Sequence, residues 1–351
     1  METSTLLKLG DAYGLPAQMH AFGNGHINDT FVTEGHPRYV IQRINHRVFT
    51  NPVGVMHNFE AVTDYLRVRL IQTGGDPDRE TLTLLHTKEG KNHAVIDGNY
   101  FRVYRLVEDA FAYESLESAQ QFRAAARTFG KFQRLLADFP AARLVETIPR
   151  FHDTPYRYAQ LEEAVSRNAA GRLHEVKEEL AFVRARKESL GVIMEGLRDG
   201  TVPLRVTHND TKINNVLFDE RTGKGLCVID LDTVMPGSLL FDFGDAIRAG
   251  ATTAAEDERN LDLVHFRLDF YRAFREGFME ELGDSVTARE WELLPDAARL
   301  LTLECGMRFL ADHLNGDVYF RVHREGHNLD RARTQFRLVQ EMEALDAEMR
   351  K

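Results

Sequence analysis

Four polar side chains in one part of the sequence have the types and spacing that phosphoryl transfer needs. Asp210, Lys212 and Asn215 lie within six residues, and Asp230 follows the apolar run at residues 226–229. Phosphoryl transfer requires a base that orients the acceptor hydroxyl and cations that neutralise the phosphates. Asp210 is the candidate catalytic base and Lys212 the candidate catalytic cation. Asn215 and Asp230 offer the oxygen ligands that Mg²⁺ prefers.

The same stretch follows the pattern of a known catalytic loop. Protein kinases have H-R-D-L-K-x-x-N there, and residues 208–215 read H-N-D-T-K-I-N-N. We expect His208 to be structural, holding the loop by packing and hydrogen bonds. A polar turn before a hairpin is the alternative, because Asn and Asp are common in turns. Four functional groups in register, followed by a strand that ends in an acid, favour the catalytic interpretation.

A second motif is misleading when it is read by its letters. Residues 242–244 spell the D-F-G of protein kinases, but they follow Asn215 by 27 positions, whereas Asp230 follows it by 15 and ends a predicted strand. We therefore predict that Asp230 binds the metal and that Asp232 adds an outer contact. Asp242 is expected to accept backbone N–H groups at the start of a helix over residues 243–249.

Glycines mark a candidate phosphate-binding turn near the N-terminus. Gly23, Gly25 and Asn28 lie between two segments typical of strands. Glycine lets the backbone approach phosphates and leaves N–H groups free to bind them. Ordinary hairpins use the same residues, but the position at the head of a sheet-forming region favours the phosphate site.

The next strand lacks the lysine that usually accompanies such a turn. In residues 39–42, Y-V-I-Q, Gln42 stands where the kinase pattern V-A-I-K has its lysine. Arg43 follows, but successive side chains of a regular strand point to opposite faces. Either Gln42 contacts the phosphates as a neutral group or a local twist brings Arg43 to them. Glu60 stands where kinases pair a glutamate with the lysine, and a surface role for it is equally compatible.

Arg308 and Tyr319 flank the sequence N-G-D at residues 315–317, which ends a predicted helix. An arginine and an aromatic ring near a helix end suit a polar acceptor such as a sugar. Arg308 also follows Glu304 by four residues, so an ion pair within the helix is the alternative.

Periodicity predicts the elements that position these side chains. The chain has 351 residues, which is long for one core and indicates two lobes. Short β-branched and aromatic runs with one long helix occupy residues 1–107, the predicted nucleotide-binding lobe. Helical spacing of apolar residues dominates residues 108–351, the predicted catalytic and acceptor-binding lobe. The helices predicted there and in the first lobe cover residues 52–73, 122–139, 156–168, 173–199, 261–282, 290–314 and 336–349.

Composition restricts the class of protein and its partners. A hydrophobic fraction of 43% with 28% charged residues is typical of a globular chain, and a formal charge of −10 argues against a nucleic-acid partner. No apolar run approaches the roughly 20 residues of a membrane helix, and the first residues do not read as a secretion signal. We expect a cytoplasmic protein without a membrane partner, as a monomer or weak homo-oligomer. Cys227 and Cys305 fit reduced core thiols.

These motifs together resemble the aminoglycoside phosphotransferase family, a branch of the kinase superfamily that also holds choline and homoserine kinases. The similarity covers essentially the whole chain and is most specific at residues 204–248 and 304–320. The stretches that carry it are residues 25–28, 102–104, 151–155, 196–200, 204–212, 229–233, 241–248, 304–312 and 338–342.

The resemblance implies an α+β, protein-kinase-like fold with a small sheet-rich N-terminal lobe and a larger, mainly helical C-terminal lobe. It also implies an ATP- and Mg²⁺-dependent kinase for a small-molecule sugar, and is greatest to members that phosphorylate N-acetylhexosamines at the anomeric hydroxyl. By position, the metal ligands are Asn215, Asp230 and Asp232. The residues expected to contact ATP are Gly23, Gly25, Asn28, Gln42, Arg43, Arg105 and Val107. Those expected to contact the sugar are His26, Asp210, Arg308 and Tyr319.

Two other functions are compatible with the sequence. Another small-molecule kinase of this fold, acting on choline, homoserine, an aminoglycoside or another sugar, would need the same residues 208–230. Ala249 stands where an aromatic sugar contact is expected, so the preference among hexosamines is open. An inactive nucleotide-binding regulator is suggested by Gln42, but Asp210 and its three polar neighbours argue against it.

Overall fold

The computed structural model describes residues 3–16, 18–23 and 27–351 of the chain. Gly25 and His26, which were predicted to contact ATP and the sugar, lie outside these residues. The helices are α1 (Thr3–Tyr13), α2 (Pro52–Gln72), α3 (Ala119–Leu135), α4 (Thr154–Arg167), α5 (Lys177–Arg184), α6 (Val192–Asp199), α7 (Leu239–Gly250), α8 (Leu268–Leu282), α9 (Ala288–Asn315), α10 (His327–Ala344) and α11 (Asp346–Met349). The strands are β1 (Met19–Ala21), β2 (Asp29–Thr33), β3 (Tyr39–Ile44), β4 (Leu84–Leu85), β5 (Ala94–Ile96), β6 (Asn99–Arg105), β7 (Ala110–Phe111), β8 (Arg205–Thr207), β9 (Val216–Asp219), β10 (Gly225–Val228) and β11 (Met235–Gly237).

The N-terminal part is built on one antiparallel sheet. Its strands lie in the order β1-β2-β3-β6-β4, with β5 also paired to β6. Alternating side chains of β3 and β6, among them Ile41, Phe101 and Val103, form a small core with α1. The other face of the sheet meets α2 and the C-terminal part. The predicted sheet-rich N-terminal region is therefore confirmed.

Helix α2 begins and ends where the sequence predicts. The side chain of Asn51 accepts a hydrogen bond from the Gly54 N–H, and Pro52 occupies the first turn, where its missing N–H has no cost. Gly74 lies just past the end at φ +75°, a conformation that glycine adopts without strain.

The C-terminal part is mainly helical, as predicted, with two small sheets among the helices. Strands β10-β9-β7 form one sheet and β11-β8 the other. Helices α3 and α8 pack together, and α9 packs against α4, α7 and α10. The predicted capping box of α9 is present, since Thr287 and Glu290 exchange side-chain and backbone hydrogen bonds.

Several helix predictions differ from the structure. The helix predicted over residues 261–282 begins only at Leu268. The helix predicted over residues 173–199 is two short helices, α5 and α6, separated by a tight turn at Lys187–Ser189. The last predicted helix begins earlier, at His327, and α1 was not predicted. None of the helices in the described part of the chain combines the length and apolar character that a membrane span requires.

Candidate active site

The loop between β8 and β9 carries the three predicted polar groups and brings them into contact. The Lys212 ammonium lies 2.8 Å from Oδ1 of Asp210. The Asn215 side-chain amide donates to the main-chain oxygen of Asp210 at 2.8 Å and approaches its Oδ2 at 3.2 Å. The Asp210 carboxylate is therefore fixed from two sides, while a quarter of its side-chain surface remains exposed.

His208 holds this loop by hydrogen bonds and packing, as predicted. Its Nε2 lies 2.9 Å from the Ile229 main-chain oxygen, and its Nδ1 accepts the Asp210 N–H at 3.3 Å. These contacts assign the proton to Nε2. The buried ring packs edge-on against Phe129 and Phe132 of α3. His208 is thus a structural residue between the loop and the strand that precedes Asp230.

Asp242 has a different role from the one predicted. Helix α7 begins at Leu239 and is capped by Ser238, so Asp242 lies inside its first turn instead of before it. Its two carboxylate oxygens accept the N–H groups of His208 (3.0 Å) and Asn209 (2.7 Å). Asp242 does accept backbone N–H groups, but they belong to the loop after β8 and not to the start of its own helix, which was also predicted four residues too late. The D-F-G aspartate anchors the loop that carries Asp210.

Two further contacts of this loop were missed by sequence reasoning. Asp245, one turn along α7, accepts the Thr211 N–H at 2.8 Å and pairs with the buried Arg248 at 2.9 Å. On the other side, Nε2 of His152 lies 3.2 Å from the Asn209 main-chain oxygen. The buried acid at Asp245 and the histidine at His152 both fall in stretches that carry the family resemblance, which was the available signal.

Charge around Asp210 keeps its carboxylate ionised. Burial alone would raise its pKa, but the charge and hydrogen bond of Lys212, with smaller effects of His208 and Arg248, lower the pKa below its ordinary value. Lys212 is affected in the opposite direction, since the Asp210 charge raises the pKa of its ammonium. The two side chains therefore form a charged pair at neutral pH.

Removing the Lys212 charge should shift the pH dependence of activity. In Lys212→Gln, burial of Asp210 is no longer opposed by the neighbouring ammonium, so its pKa rises. The acidic limb of kcat/KM is then expected at higher pH than in the wild type, together with a lower plateau. ADP release measured from pH 5 to 8 checks this, with the exposed Lys224→Gln as control. An acidic limb at the same pH in Lys212→Gln and in the wild type would contradict the assignment of Asp210 and Lys212 as a charged pair.

Asp230 has the properties of a cation ligand. It follows β10, adopts the left-handed conformation (φ +60°) and is exposed, and no hydrogen bond or ion pair joins its carboxylate to any described residue. Although part of its surface is exposed, the surrounding protein reduces the hydration of the carboxylate, and this effect together with the negative charges of Asp232 and Asp210 raises its pKa to about 6. Asn215 lies next to it, because the Ile229 N–H donates to the Asn215 main-chain oxygen at 2.9 Å.

The donor set fits a magnesium ion bound together with phosphates. Within the described residues there is no group of three or more His, Cys, Asp or Glu arranged to hold a metal. Mg²⁺ usually takes one or two carboxylates, with water and substrate phosphates as its other ligands. The free carboxylate of Asp230 and the side-chain oxygen of Asn215, whose nitrogen is directed at Asp210, fit this mode of binding.

Asp232 is engaged elsewhere. Its Oδ1 forms a buried ion pair with Arg102, and its Oδ2 accepts the Asn28 amide at 2.5 Å. Both oxygens therefore have partners from the N-terminal part. The outer metal contact of Asp232 stays a prediction, and the observed contacts join the β10 loop to β6 and to the residue before β2.

The predicted phosphate-binding residues of β3 face in opposite directions. Arg43 is exposed and pairs with Asp29 of the neighbouring strand. Gln42 faces Arg102, whose guanidinium donates to Gln42 Oε1 from Nε (2.9 Å) and Nη2 (2.6 Å). Glu60 is not paired with a cation of the sheet. It contacts Nε2 of His86, at 2.7 Å, and the side-chain amide of Asn92.

The remaining described residues predicted to contact ATP lie in two connections, one between β1 and β2 and one from β6 to β7. Gly23 has φ +74° in the turn between β1 and β2. Arg105 ends β6 with its side chain exposed and 3.7 Å from Asp78. Val107 follows in the segment that leads to β7 and is buried.

Arg308 is not paired with Glu304. The Glu304 carboxylate is buried and bonded to His152 Nδ1 (2.8 Å) and Thr154 Oγ1 (2.7 Å). Arg308 instead lies over aromatic rings, 5.0 Å from the centre of Phe151 and 5.9 Å from that of Tyr319. No carboxylate of the described residues forms an ion pair with it.

A second arginine adds to the positive charge beside Arg308. Arg157 donates to the main-chain oxygen of Phe151, and no described carboxylate pairs with it either. Burial and the nearby charge of Arg308 lower the pKa of Arg157. Tyr319, by contrast, is 61% exposed. This side of the site therefore carries two arginines without an ion-paired carboxylate among the described residues, beside aromatic surfaces.

A cavity of about 240 Å³ opens beside Lys212. Its polar lining includes Arg248, Glu256, Thr334 and Gln335, and its apolar lining includes Ala249. Glu256 is shared between Arg248 (3.2 Å) and Arg331 (3.6 Å), so it offers no free charge. The buried Oε1 of Gln335 has no hydrogen-bond partner among the described residues. The cavity thus presents charged and neutral polar groups, Glu114 among them, next to the Asp210–Lys212 pair.

A model of the phosphotransferase enzyme family APH matches residues 18–279, about three quarters of the chain. The chain belongs to this family. Its fold, with a sheet-containing N-terminal part and a helical C-terminal part, is that of the small-molecule kinases.

Solved structures of this phosphotransferase fold align over nearly the entire chain. A microcompartment-associated aminopropanol kinase is 15% identical with a TM-score of 0.64, and the alignment covers 99% of this chain and 98% of that one. A spectinomycin phosphotransferase, APH(9)-Ia, solved with ADP and spectinomycin, is 14% identical with a TM-score of 0.60 and 99% of both chains covered. A choline kinase from Cryptosporidium parvum Iowa II is 13% identical with a TM-score of 0.60, covering 99% and 97%. These likenesses concern the fold.

Proposed function

We propose that this phosphotransferase is an N-acetylhexosamine 1-kinase, which transfers the γ-phosphoryl group of ATP to the anomeric hydroxyl of N-acetylglucosamine or N-acetylgalactosamine. The observation that carries the proposal is the Asp210 carboxylate, ionised and held between Lys212 and Asn215. The loop that carries it also contacts His152, and the adjoining residue Phe151 packs against Arg308, which has no ion-pair partner in the described part of the chain. The family supports the reaction class. The acceptor follows from the chemistry of the surrounding residues and from the motif resemblance.

Asp210 orients the acceptor hydroxyl and takes its proton as the new P–O bond forms. Phosphoryl transfer needs little base strength, because its transition state is loose. An anomeric hydroxyl is more acidic than an ordinary alcohol, so a carboxylate with a lowered pKa suffices. Lys212 remains charged beside the transferred group and stabilises the oxygens of the γ-phosphate.

Asn215 and Asp230 are the proposed ligands of Mg²⁺, which when bound neutralises the β- and γ-phosphates. The turn at Gly23 to Asn28 is proposed to lie over the phosphates. Residues 105–107 are proposed to meet the adenine, since they form the connection between the N-terminal sheet and the C-terminal part.

The charges near Asp210 favour a neutral acceptor over a cationic one. Choline, ethanolamine and aminoglycosides are cations, and their sites need free carboxylates or aromatic surfaces without competing positive charge. Here Arg308 and Arg157 have no paired carboxylate, and Glu256 is shared between two arginines. A sugar with an acetamido group offers hydroxyl and carbonyl acceptors for Arg308 and a flat face for Tyr319. The rates of ADP release with neutral and with cationic acceptors therefore test the proposal.

We expect N-acetylglucosamine or N-acetylgalactosamine to drive ADP release at least tenfold faster than choline, homoserine or kanamycin at equal concentration. The five acceptors are compared with the same enzyme and MgATP, with no acceptor as the blank. Phosphorus NMR of the product separates a 1-phosphate from a 6-phosphate. A cationic acceptor that gives the highest rate, or a 6-phosphate product, would overturn the proposed acceptor while leaving the kinase assignment intact.

A further inference from the structure

Arg102 is the most deeply buried cation of the N-terminal sheet, with 1% of its surface exposed. It lies in the middle of β6, where an apolar side chain would be expected. Its three guanidinium nitrogens all have partners, two on Gln42 and one on Asp232. Burial of an arginine is costly unless it is paired and hydrogen-bonded. This arginine is both, which makes its position a specific feature of the site.

Gln42 and Arg102 are direct partners in the antiparallel pairing of β3 with β6. Side chains of directly paired residues lie on the same face of a sheet. The guanidinium therefore occupies the space in front of position 42, where the kinase pattern has a lysine. Because Gln42 Oε1 accepts both Nε and Nη2, it orients the guanidinium instead of providing a charge itself. The cation that faces this position therefore comes from β6, whereas in the kinase pattern it comes from β3.

The acidic partner of this cation also differs from the one in the kinase pattern. In the kinase pattern the lysine pairs with a glutamate of the following helix, but here Glu60 contacts His86 and Asn92. Helix α2 instead presents the ring of Phe59, 4.8 Å from the Arg102 guanidinium carbon. The carboxylate comes from Asp232, two residues past Asp230. Asn28, at the end of the glycine turn, bonds to the other oxygen of Asp232.

We propose that Arg102 is the positioning residue of the nucleotide site, in place of the lysine that is absent at position 42. Held by Gln42, it fixes Asp232, and through Asp232 it sets the distance between the glycine turn and the loop that carries Asp230. The proposal rests on the proposed kinase function but not on the identity of the acceptor.

The chemistry of the site gives Arg102 a second effect. Asp210, Asp230 and Asp232 are three acids in one region that must receive the polyanionic phosphates. Arg102 balances the charge of Asp232, so that the metal site retains the net charge of Asp230. Without Arg102, an unpaired carboxylate repels the phosphates, and the β10 loop loses its contact with the sheet.

The test compares Arg102→Gln, Arg102→Lys and the double variant Gln42→Lys/Arg102→Gln. In Arg102→Gln we expect KM for MgATP to rise roughly 10- to 100-fold, because the loop that carries the proposed metal ligand Asp230 loses its anchor, while KM for the acceptor stays within twofold. Arg102→Lys keeps the positive charge but loses the planar guanidinium with its several N–H donors. We expect a smaller rise in KM for MgATP in this variant. The double variant returns a cation to position 42 and should recover most of the loss. MgADP binding by titration calorimetry, without acceptor, should follow the same order.

Lys131→Gln is the matched control. Lys131 of α3 also joins the C-terminal part to the N-terminal part, through an ion pair with Glu80, but lies outside the proposed site. It should lower the melting temperature without changing the KM for MgATP. MgADP affinity within twofold of wild type in Arg102→Gln would overturn the proposal, as would a double variant no better than Arg102→Gln. If Arg102→Gln does not fold, Arg102→Lys decides, and an unchanged nucleotide affinity there is equally contradictory. Because MgADP binding needs no acceptor, this result is independent of the acceptor comparison.

Discussion

Replacing Asp210 with Asn is expected to lower kcat by roughly 10³-fold, the usual scale for loss of a general base. Asparagine has the same shape, and Asn215 can still donate to the main-chain oxygen of residue 210. The hydroxyl of the acceptor would be positioned but not deprotonated. Since the loop remains anchored by Asp242 and Asp245, MgADP binding should stay within a few fold of wild type.

The measurement is single-turnover ADP formation at saturating MgATP and acceptor, beside calorimetric MgADP binding. Asp153→Asn serves as the control, because Asp153 caps α4 and lies outside the catalytic loop. A loss that appears in KM for MgATP instead of in kcat would assign Asp210 to nucleotide binding. Near-normal turnover would remove Asp210 from the mechanism.

Local signals were sufficient for the elements that position the site. The start of α2 at Pro52 and its end before Gly74 depend on residues within the helix and its caps, and these were predicted from the sequence. The same is true of the Thr287–Glu290 capping box. The helix predicted over residues 173–199 failed because apolar spacing continues through the tight turn that separates α5 from α6.

The contacts that organise the site were not predictable, because they join residues distant in the sequence. Asp242 was predicted to accept N–H groups at the start of a helix over residues 243–249, but its partner His208 is 34 residues away. The sequence indicated that Gln42 lacks a charge without indicating where one would come from. That answer depends on the pairing of β3 with β6 and on an ion pair between residues 130 positions apart. An arginine within the apolar alternation of β6 was the one local sign.

The domain boundary at residue 107 stays a prediction. The outer face of the N-terminal sheet has its own small core with α1. The inner face of the sheet has no core of its own, because Phe59 and Val62 of α2 belong to one continuous apolar cluster with α3 and the helices that follow. A motion that separated α2 from α3 would therefore break contacts within this apolar cluster.

Asp230→Asn is expected to have opposite effects on activity and on stability. It should reduce kcat/KM for MgATP by roughly 10²- to 10⁴-fold, because a metal ion contributes several kcal/mol to stabilising the charge of the transition state. Asparagine tolerates the left-handed conformation of this position, so the backbone need not change. The loss should be partly recovered at high Mg²⁺ concentration, since the Asn oxygen is a weaker ligand. The Mg²⁺ concentration for half-maximal rate measures this directly.

The stability effect follows from the pKa of Asp230. Its folded-state pKa is raised to about 6, above the ordinary value of 3.8, so the folded protein disfavours the ionised carboxylate. This destabilisation begins as the pH rises above the unfolded-state pKa and is complete above about 6. In the absence of metal at pH 7, Asp230→Asn should therefore melt at a higher temperature than wild type, and the difference should vanish near pH 4.

Asp219→Asn is the control for both measurements, because Asp219 also lies at the end of a strand of the same small sheet but is paired with Arg79. Its pKa is lowered, chiefly by the hydrogen bond from Arg79, so its ionised form stabilises the fold at neutral pH. Asp219→Asn should thus melt at a lower temperature at pH 7, with Mg²⁺ dependence unchanged. Asp219, held by Arg79 and Thr222, and Asp230, without a hydrogen-bond partner among the described residues, should then respond with opposite signs. A fall in melting temperature for Asp230→Asn without metal would mean that Asp230 already has a stabilising partner in the protein, and its assignment as a ligand of Mg²⁺ would be wrong.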